Sequence, residues 1–159
     1  MNSISSLDAI VAKSRSAQRQ YESNGSQHRY DRAAQAVAWA IMEPTRNQEL
    51  AELAVRTTGL GNVPDKITKN HRKTLGLMRD IQGVKTYGVI RDDHDTGITE
   101  IARPMGVVAA IVPSTNPAAT PANNIINALK YGNSIVVAPS PKGVATCERL
   151  LEFIHAEFR

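Results

Sequence analysis

Two short, continuous apolar runs in the second half of the chain limit the fold more than any other feature. They are "GVVAAIV" at 106–112 and "SIVVA" at 134–138. An apolar run without polar alternation fits a strand buried on both faces of a parallel sheet. Helix-forming segments follow each run, so residues 106–159 predict strand, helix, strand, helix. We therefore expect an α/β fold that contains the first βαβα of a doubly wound parallel sheet.

The expected helices after the two runs have similar start signals. Thr120 is a good N-cap before Pro121, and Gly132 is a good stop. Ser140 with Pro141 repeats the cap-plus-proline start. Two parallel strands cannot complete such a sheet, because each needs neighbours on its edges. Since the alternation breaks off at Arg159, we expect the sheet to be incomplete and the chain to be a fragment.

The first 104 residues have a different pattern. Helical spacing of apolar residues predicts four helices before about residue 82, the third of them capped by Thr45. The stretch "KTYGVIRDDHDTGITEIARP" predicts two strands around a polar turn. The expected organisation is a helical segment at 1–84, a β-ribbon at 85–104 and the start of the parallel sheet at 105–159.

Composition excludes several classes of protein. The chain is 42% hydrophobic and 21% charged, which is typical of globular domains, and no apolar run is long enough to span a membrane. The N-terminus lacks the order of a secretory signal. A single cysteine excludes an intrachain disulfide framework and a multi-cysteine zinc site, so a reducing, cytoplasmic setting is expected. The four histidines show no metal-ligand spacing and are expected at the surface.

The charge pattern argues against nucleic-acid binding. The net charge is only +4, lysine and arginine are scattered among acidic residues, and aromatic residues make up 4% of the chain. A nucleic-acid interface usually needs a concentrated basic face, often with aromatic side chains that stack on bases.

Two loops are candidate ligand sites, because doubly wound sheets bind ligands beyond the carboxyl ends of their strands. They are "PSTNPAATP" after the first run and "PSPKG" after the second. Each leads into a helix N-terminus, which favours anions. Both could equally be well-capped connections. The P-loop motif is absent, and "GLGNVP" does not follow a strand.

Cys147 is expected to be a core residue rather than a nucleophile. If the last helix begins at Pro141, an apolar stripe forms along one face. Its expected members are Val144, Cys147, Leu151, Ile154 and Phe158, with Leu150 beside them. Cys147 lies more than one turn into this helix, so the helix dipole does little to activate its thiol.

The stretch "IARPMGVVAAIVPSTNPAATPANNIINALKYGNSIVVAPSPKG" resembles the aldehyde dehydrogenase superfamily, and within it the CoA-acylating branch. "ELAELAVRTTG", "DKITKNH" and "KTYGVI" support the resemblance over nearly the whole chain. "NPAATPANNIINALK" and "APSPKG" are most similar to acylating sulfoacetaldehyde dehydrogenases. That branch includes the aldehyde dehydrogenase half of bifunctional aldehyde-alcohol dehydrogenases.

The resemblance implies oxidation of a small aldehyde with NAD or NADP as cofactor and CoA as cosubstrate. A cysteine thiolate attacks the aldehyde, and the resulting thioester is transferred to CoA. Sulfoacetaldehyde would give sulfoacetyl-CoA. The family's nucleophilic cysteine and its glutamate would lie beyond Arg159, so we expect this chain alone to be inactive.

The resemblance also assigns site residues. In the first loop, matching by residue type makes Asn116 the donor to the oxyanion, whereas an ungapped match on the flanking prolines places that position at Thr115. In the second loop, Lys142 without a carboxylate before Glu148 predicts that NADP is accepted. The residues expected around the cofactor are Pro113, Ser114, Thr115, Pro139, Ser140, Pro141 and Lys142.

The ribbon resembles the family's oligomerisation arm, which implies a homo-oligomer formed through residues 86–103. Two other functions remain open from the residues. One is a non-enzymatic assembly module with a degenerate nucleotide fold, which predicts a gene that stops near residue 159. The other is a basic nucleic-acid-binding domain, which predicts strongly salt-dependent affinity.

Overall fold

In the part of the chain that the structure describes, four helices precede the first strand, as the apolar spacing predicts. The computed structural model describes the backbone of residues 3–159 and side chains from residue 6 onward, so the first two residues of the predicted 1–84 segment lie outside it. The helices are α1 (Ser3–Ser23), α2 (Gln27–Met42), α3 (Pro44–Thr58) and α4 (Val63–Ile81). None of the helices in this described part is both long and apolar enough to cross a membrane.

The start of α3 differs from the prediction. Thr45 is not the cap, because the helix already begins at Pro44, where proline's missing N–H is no disadvantage. The carboxylate of Glu43 accepts hydrogen bonds from the backbone N–H groups of Thr45 and Arg46, at 3.2 and 2.8 Å. These bonds hold the pKa of Glu43 below its usual value.

Strands β1 (Gly88–Asp93) and β2 (Ile98–Ala102) form the predicted antiparallel ribbon. The polar turn at residues 94–97 joins them, and a bulge interrupts the pairing between Val89 and Arg91. Ile98 and Ile101 of the ribbon are more than half exposed, and Val89 and Ile90 are also exposed. The ribbon thus presents apolar surface that nothing in the described chain covers.

The predicted strand–helix alternation is confirmed. The elements are β3 (Val107–Val112), α5 (Ala119–Lys130), β4 (Ser134–Pro139) and α6 (Val144–Glu157), with a 3-10 turn at Pro141–Gly143 before α6. β3 and β4 pair in parallel from Val107 opposite Ser134 to Val112 opposite Pro139. Burial on both faces is not observed, because Ile111 is 87% exposed and the described residues add no third strand to this sheet.

The helix starts after β3 and β4 use fewer side-chain caps than predicted. Thr120 is not an N-cap, because α5 already begins at Ala119 and Ala118 occupies the cap position. Ser140 precedes the 3-10 turn, but its hydroxyl makes no capping bond. Gly132 follows α5 as predicted, with a left-handed φ of 73°.

The core lies where α2 meets α5 and α6, with α3 and α4 around it. Tyr30 of α2 is fully buried between two glycines. A Cβ atom at Gly132 would lie 2.6 Å from its ring, and one at Gly25 would lie 2.4 Å from its hydroxyl oxygen. The ring therefore fills the space that side chains at both positions would need.

Cys147 is buried, with 2% of its surface exposed, which confirms a core position. The predicted stripe is rotated, however, because α6 packs against α2 and α3 rather than lying flat on the sheet. Val144 and Phe158 are exposed, and the buried positions are Thr146, Cys147, Leu150, Phe153 and Ile154. Burial, with a smaller effect of Glu148, raises the pKa of the Cys147 thiol.

Candidate functional site

The two predicted loops leave the same edge of the parallel sheet and touch each other. The Ser140 N–H donates a hydrogen bond to the carbonyl of Val112, at 3.0 Å. A Cβ at Gly143 would lie 3.1 Å from the Cβ of Pro117. Loop 113–118 and loop 139–143 thus form one continuous surface at the carboxyl ends of β3 and β4, as expected for a ligand site in this type of sheet.

Two lysines of α4 hold the first loop. Lys66 Nζ donates to the backbone carbonyl of Thr115 at 2.7 Å, and Lys69 Nζ donates to Asn116 Oδ1 at 2.9 Å. Lys66 is only 5% exposed, whereas Thr115 is exposed and Asn116 is half-buried. Sequence reasoning missed both lysines, since it placed the site on the loops alone.

Buried asparagines fix α4 in the position that these bonds require. Asn70 of α4 donates to Asn47 Oδ1 at 2.9 Å, and Asn47 of α3 donates to the carbonyl of Ile67 at 3.1 Å. Both asparagines are 3% exposed. Because a buried amide left without a partner is unfavourable, this pair ties α4 to α3 in one register.

The contact with Lys69 sets the orientation of the Asn116 amide. An ammonium group only donates, so the amide oxygen faces Lys69 and the Nδ2 group faces away. No side chain in the described part of the chain accepts a hydrogen bond from this Nδ2. Asn116 therefore presents a free amide donor beside the carboxyl end of β3.

The second loop offers a different surface. Pro141 and Lys142 are exposed, while the Ser140 hydroxyl oxygen is buried and finds no partner among the described residues. Lys142 forms no ion pair with the carboxylates that the structure describes. The group that this loop offers to an anion is thus the Lys142 ammonium, and the Ser140 hydroxyl is turned inward.

A basic cleft of about 780 Å³ adjoins the first loop. Four cationic side chains of α4 line it together with Thr115; they are Lys66, Lys69, Arg72 and Lys73. Burial, with the nearby charge of Lys69, lowers the pKa of Lys66. The expectation of scattered basic residues is wrong here, and the spacing of three and four residues in "KITKNHRK" is the sequence signal that was missed.

The other candidates from the sequence are the histidines and possible metal ligands. All four histidines are exposed, as predicted. Within the side chains that the structure describes, no group of three or more metal-ligating residues comes together. The cationic cleft and the predicted site residues that the structure describes therefore lie at the two loops and α4.

A parallel strand pair with a helical crossover and ligand loops at its carboxyl edge is the architecture of a nucleotide-binding α/β domain. The chain belongs to the aldehyde dehydrogenase family, whose family model matches residues 3–157. This confirms the resemblance seen in the sequence.

Relatives within this family narrow the similarity. The chain is 67% identical over 150 residues to a sulfoacetaldehyde dehydrogenase (acylating) from Cupriavidus necator, a match that covers 94% of this chain and 30% of the relative. An acetylating aldehyde dehydrogenase from Geobacillus thermoglucosidasius superposes with a TM-score of 0.87 at 33% identity, over 97% of this chain and 34% of that one.

A propionaldehyde dehydrogenase from Rhodopseudomonas palustris, solved with bound CoA and an acylated cysteine, superposes with a TM-score of 0.77 at 29% identity. That match covers 94% of this chain and 33% of the other. The chain therefore spans about a third of the length of the relatives it matches.

Proposed function

We propose that this chain is the N-terminal, cofactor-binding part of a CoA-acylating aldehyde dehydrogenase. The enzyme would convert a small aldehyde, CoA and NAD⁺ or NADP⁺ into an acyl-CoA and the reduced nucleotide. The observation that carries the proposal is the Asn116 amide, which Lys69 orients as a donor at the sheet edge where the family's ligands are expected. Two relatives that share this segment are named as acylating or acetylating aldehyde dehydrogenases.

Asn116 would stabilise the negative charge that develops on the aldehyde oxygen. A thiolate that adds to the carbonyl carbon leaves this oxygen as an oxyanion, and a fixed amide donor stabilises it without reorganisation. Thr115 is exposed beside it and would contact substrate or cofactor. The bonds from Lys66 and Lys69 keep both residues in place.

The nucleophile of the proposed reaction is not Cys147. Its thiol is buried, and burial raises its pKa, so little thiolate forms and no substrate reaches it. We assign the thiolate to another part of the enzyme. CoA thiol would then attack the enzyme thioester and release the acyl-CoA, which regenerates the free thiolate.

The second loop would hold the adenosine half of the cofactor. When bound there, a nicotinamide nucleotide would supply the acceptor for the hydride from the aldehyde carbon. The exposed Lys142 ammonium, with no carboxylate paired to it among the described residues, fits a 2′-phosphate better than a bare ribose. The residues of this loop that we assign to the cofactor are Pro139, Ser140, Pro141 and Lys142, with Pro113, Ser114 and Thr115 from the first loop. We therefore propose that NADP is accepted.

The substrate that we favour is sulfoacetaldehyde, because the relative that is 67% identical bears that name. The enzyme would then produce sulfoacetyl-CoA. A thiol-dependent mechanism suits a reducing compartment, so we place the enzyme in the cytoplasm.

The ribbon at residues 86–103 would mediate assembly into a homo-oligomer. A two-stranded ribbon is marginal alone, and the exposed Val89, Ile98 and Ile101 side chains gain by being covered in a second subunit. The described ion pairs of the ribbon include those from Arg91 to Asp93 and Glu100, which are internal to it.

The test is an assay of the enzyme expressed from its complete gene. We expect reduction of NAD⁺ or NADP⁺ that requires both an aldehyde and CoA, with the acyl-CoA identified by mass spectrometry. Formation of the free acid without CoA consumption would contradict the acylating reaction. An oligomer with no aldehyde oxidation at all would favour the non-enzymatic assembly module instead.

A further inference from the structure

We infer that the basic cleft of α4 is the subsite that binds the sulfonate group of the substrate and selects sulfonated aldehydes over neutral ones. The inference rests on the proposed function and assigns residues that the two loops do not include. The cleft residues at issue are Lys66, Lys69, Arg72 and Lys73, all from one helix, with Thr115 at the loop edge.

The cleft has positive charge that the described chain does not neutralise. None of its four cations forms an ion pair with a described carboxylate. Asp65 is the acidic residue of the lining, and its carboxylate, which accepts a 2.7 Å bond from the Asn62 side chain, offsets only one of the four positive charges. Uncompensated cations at close range repel each other, and a bound anion removes that repulsion.

Lys66 shows that this charge is built into the fold. It is 5% exposed and donates to a neutral backbone carbonyl rather than to a carboxylate. A buried ammonium without a counter-ion is unfavourable. An anion in the neighbouring cleft would stabilise this charge, whereas a purely structural contact to Thr115 would not need a cation.

The position of the cleft fits a short, anionic aldehyde. The Lys69 ammonium contacts Asn116, the proposed oxyanion donor, and Arg72 and Lys73 lie one helical turn further, a rise of about 5 Å. In sulfoacetaldehyde one methylene separates the carbonyl from the sulfonate. A carbonyl that accepts from Asn116 Nδ2 lies on the side of this amide away from Lys69, so in this inference the sulfonate turns back toward α4, where the exposed side chains of Arg72 and Lys73 would contact it. An aldehyde without an anion gains nothing from Arg72 and Lys73.

The chemistry of the sulfonate matches the donors available. A sulfonate is fully ionised at any physiological pH and has three acceptor oxygens, so it can be bound by several cations at once. Arg72 and Lys73 are both exposed to the cleft and offer charged N–H donors. CoA also carries anionic phosphate groups, and the experiment must separate these two sources of negative charge.

The decisive variant is Arg72→Gln/Lys73→Gln, tested in the complete enzyme. We expect the ratio of kcat/KM for sulfoacetaldehyde to kcat/KM for acetaldehyde to fall by about tenfold or more, the effect of losing charge-assisted bonds. High salt should lower the same ratio in the wild-type enzyme, since exposed charges are screened. The matched control is Lys13→Gln/Arg19→Gln, which removes the same two charges from the exposed face of α1 and should leave the ratio unchanged.

Two kinetic outcomes would overturn the subsite. One is an equal loss for both aldehydes, and the other is a raised KM for CoA with an unchanged aldehyde ratio, which would assign the cleft to CoA phosphate. Failure of the proposed function is separate, because it would appear as no acyl-CoA from either aldehyde.

A binding measurement keeps the inference testable in that case. Titration of the wild-type protein with sulfoacetate by calorimetry or NMR should show binding that Arg72→Gln/Lys73→Gln weakens and the control variant retains. Absence of sulfoacetate binding to the wild-type protein would overturn the subsite whatever the enzyme catalyses.

Discussion

The two loops at the carboxyl edge of the parallel sheet look alike in sequence, but the structure supports them differently. Loop 113–118 is held from outside by Lys66 and Lys69 of α4. Loop 139–143 is held by backbone bonds and by contact with the first loop, and its Ser140 hydroxyl stays unpaired among the described residues. The two loops have similar compositions but suit different roles. The first loop holds the Asn116 amide in a fixed orientation, and the second leaves Lys142 exposed to a charged ligand.

The largest expected difference between the loops is catalytic. Asn116→Ala in the complete enzyme should lower kcat by about 100- to 1,000-fold, the usual effect of removing one oxyanion donor. The matched change in the second loop, Ser140→Ala, removes a hydroxyl that has no described partner and should lower kcat little. Steady-state kinetics with a saturating aldehyde measures both. Equal effects of the two substitutions would remove the distinction between the loops.

Lys69 should show a smaller effect, as a positioning residue. Lys69→Met frees the Asn116 amide to rotate, so we expect kcat with acetaldehyde to fall by about tenfold while KM changes little. Lys69→Arg keeps a charged donor and should restore most of kcat. If Lys69→Arg is as impaired as Lys69→Met, the side chain acts through packing rather than through its hydrogen bond.

Lys142 of the second loop should affect the choice of cofactor and should not change the role of the first loop. Lys142→Glu replaces the exposed cation by a carboxylate, which repels a 2′-phosphate and binds ribose hydroxyls. We expect the ratio of kcat/KM for NADP to that for NAD to fall by about tenfold or more. If the variant uses NADP as well as the wild-type enzyme does, the second loop does not recognise the 2′-phosphate.

The smallest effect is expected at Cys147, in the helix that the second loop leads into. Cys147→Ser should leave the kcat of the complete enzyme unchanged, since the thiol is buried and away from both loops. Its raised pKa and burial predict that iodoacetamide labels the native thiol far more slowly than the unfolded one across neutral pH. Rapid labelling of the native protein would contradict the core position.

The elements of the fold were predictable because each has a local signal. Continuous apolar runs identified β3 and β4, and helical spacing identified the four N-terminal helices. The starts of α3 and α5 were less predictable. Both helices begin before the expected cap residues, α3 at Pro44 rather than after Thr45 and α5 at Ala119 rather than after Thr120. These differences are local and do not alter the topology.

The support of the first loop was not predictable, because it depends on contacts between segments far apart in sequence. Lys66 and Lys69 lie 49 and 47 positions before the residues they bind. Nothing in "DKITKNH" states which loop α4 will face. The loops themselves could be located from strand polarity alone, since parallel strands place their carboxyl ends at one edge.

The packing of Tyr30 between Gly25 and Gly132 links three positions that are distant in sequence. A side chain at Gly132 and the ring of Tyr30 cannot occupy the same space, so substitutions at the two positions should be non-additive. A smaller residue at position 30 would make room at position 132 but would leave the strain of a φ of 73° for any other residue there. The aromatic ring thus restricts which sequences this fold accepts. Gly25 and Gly132 can be replaced only after Tyr30 has been replaced by a smaller residue, and a replacement at Gly132 is still strained by its positive φ.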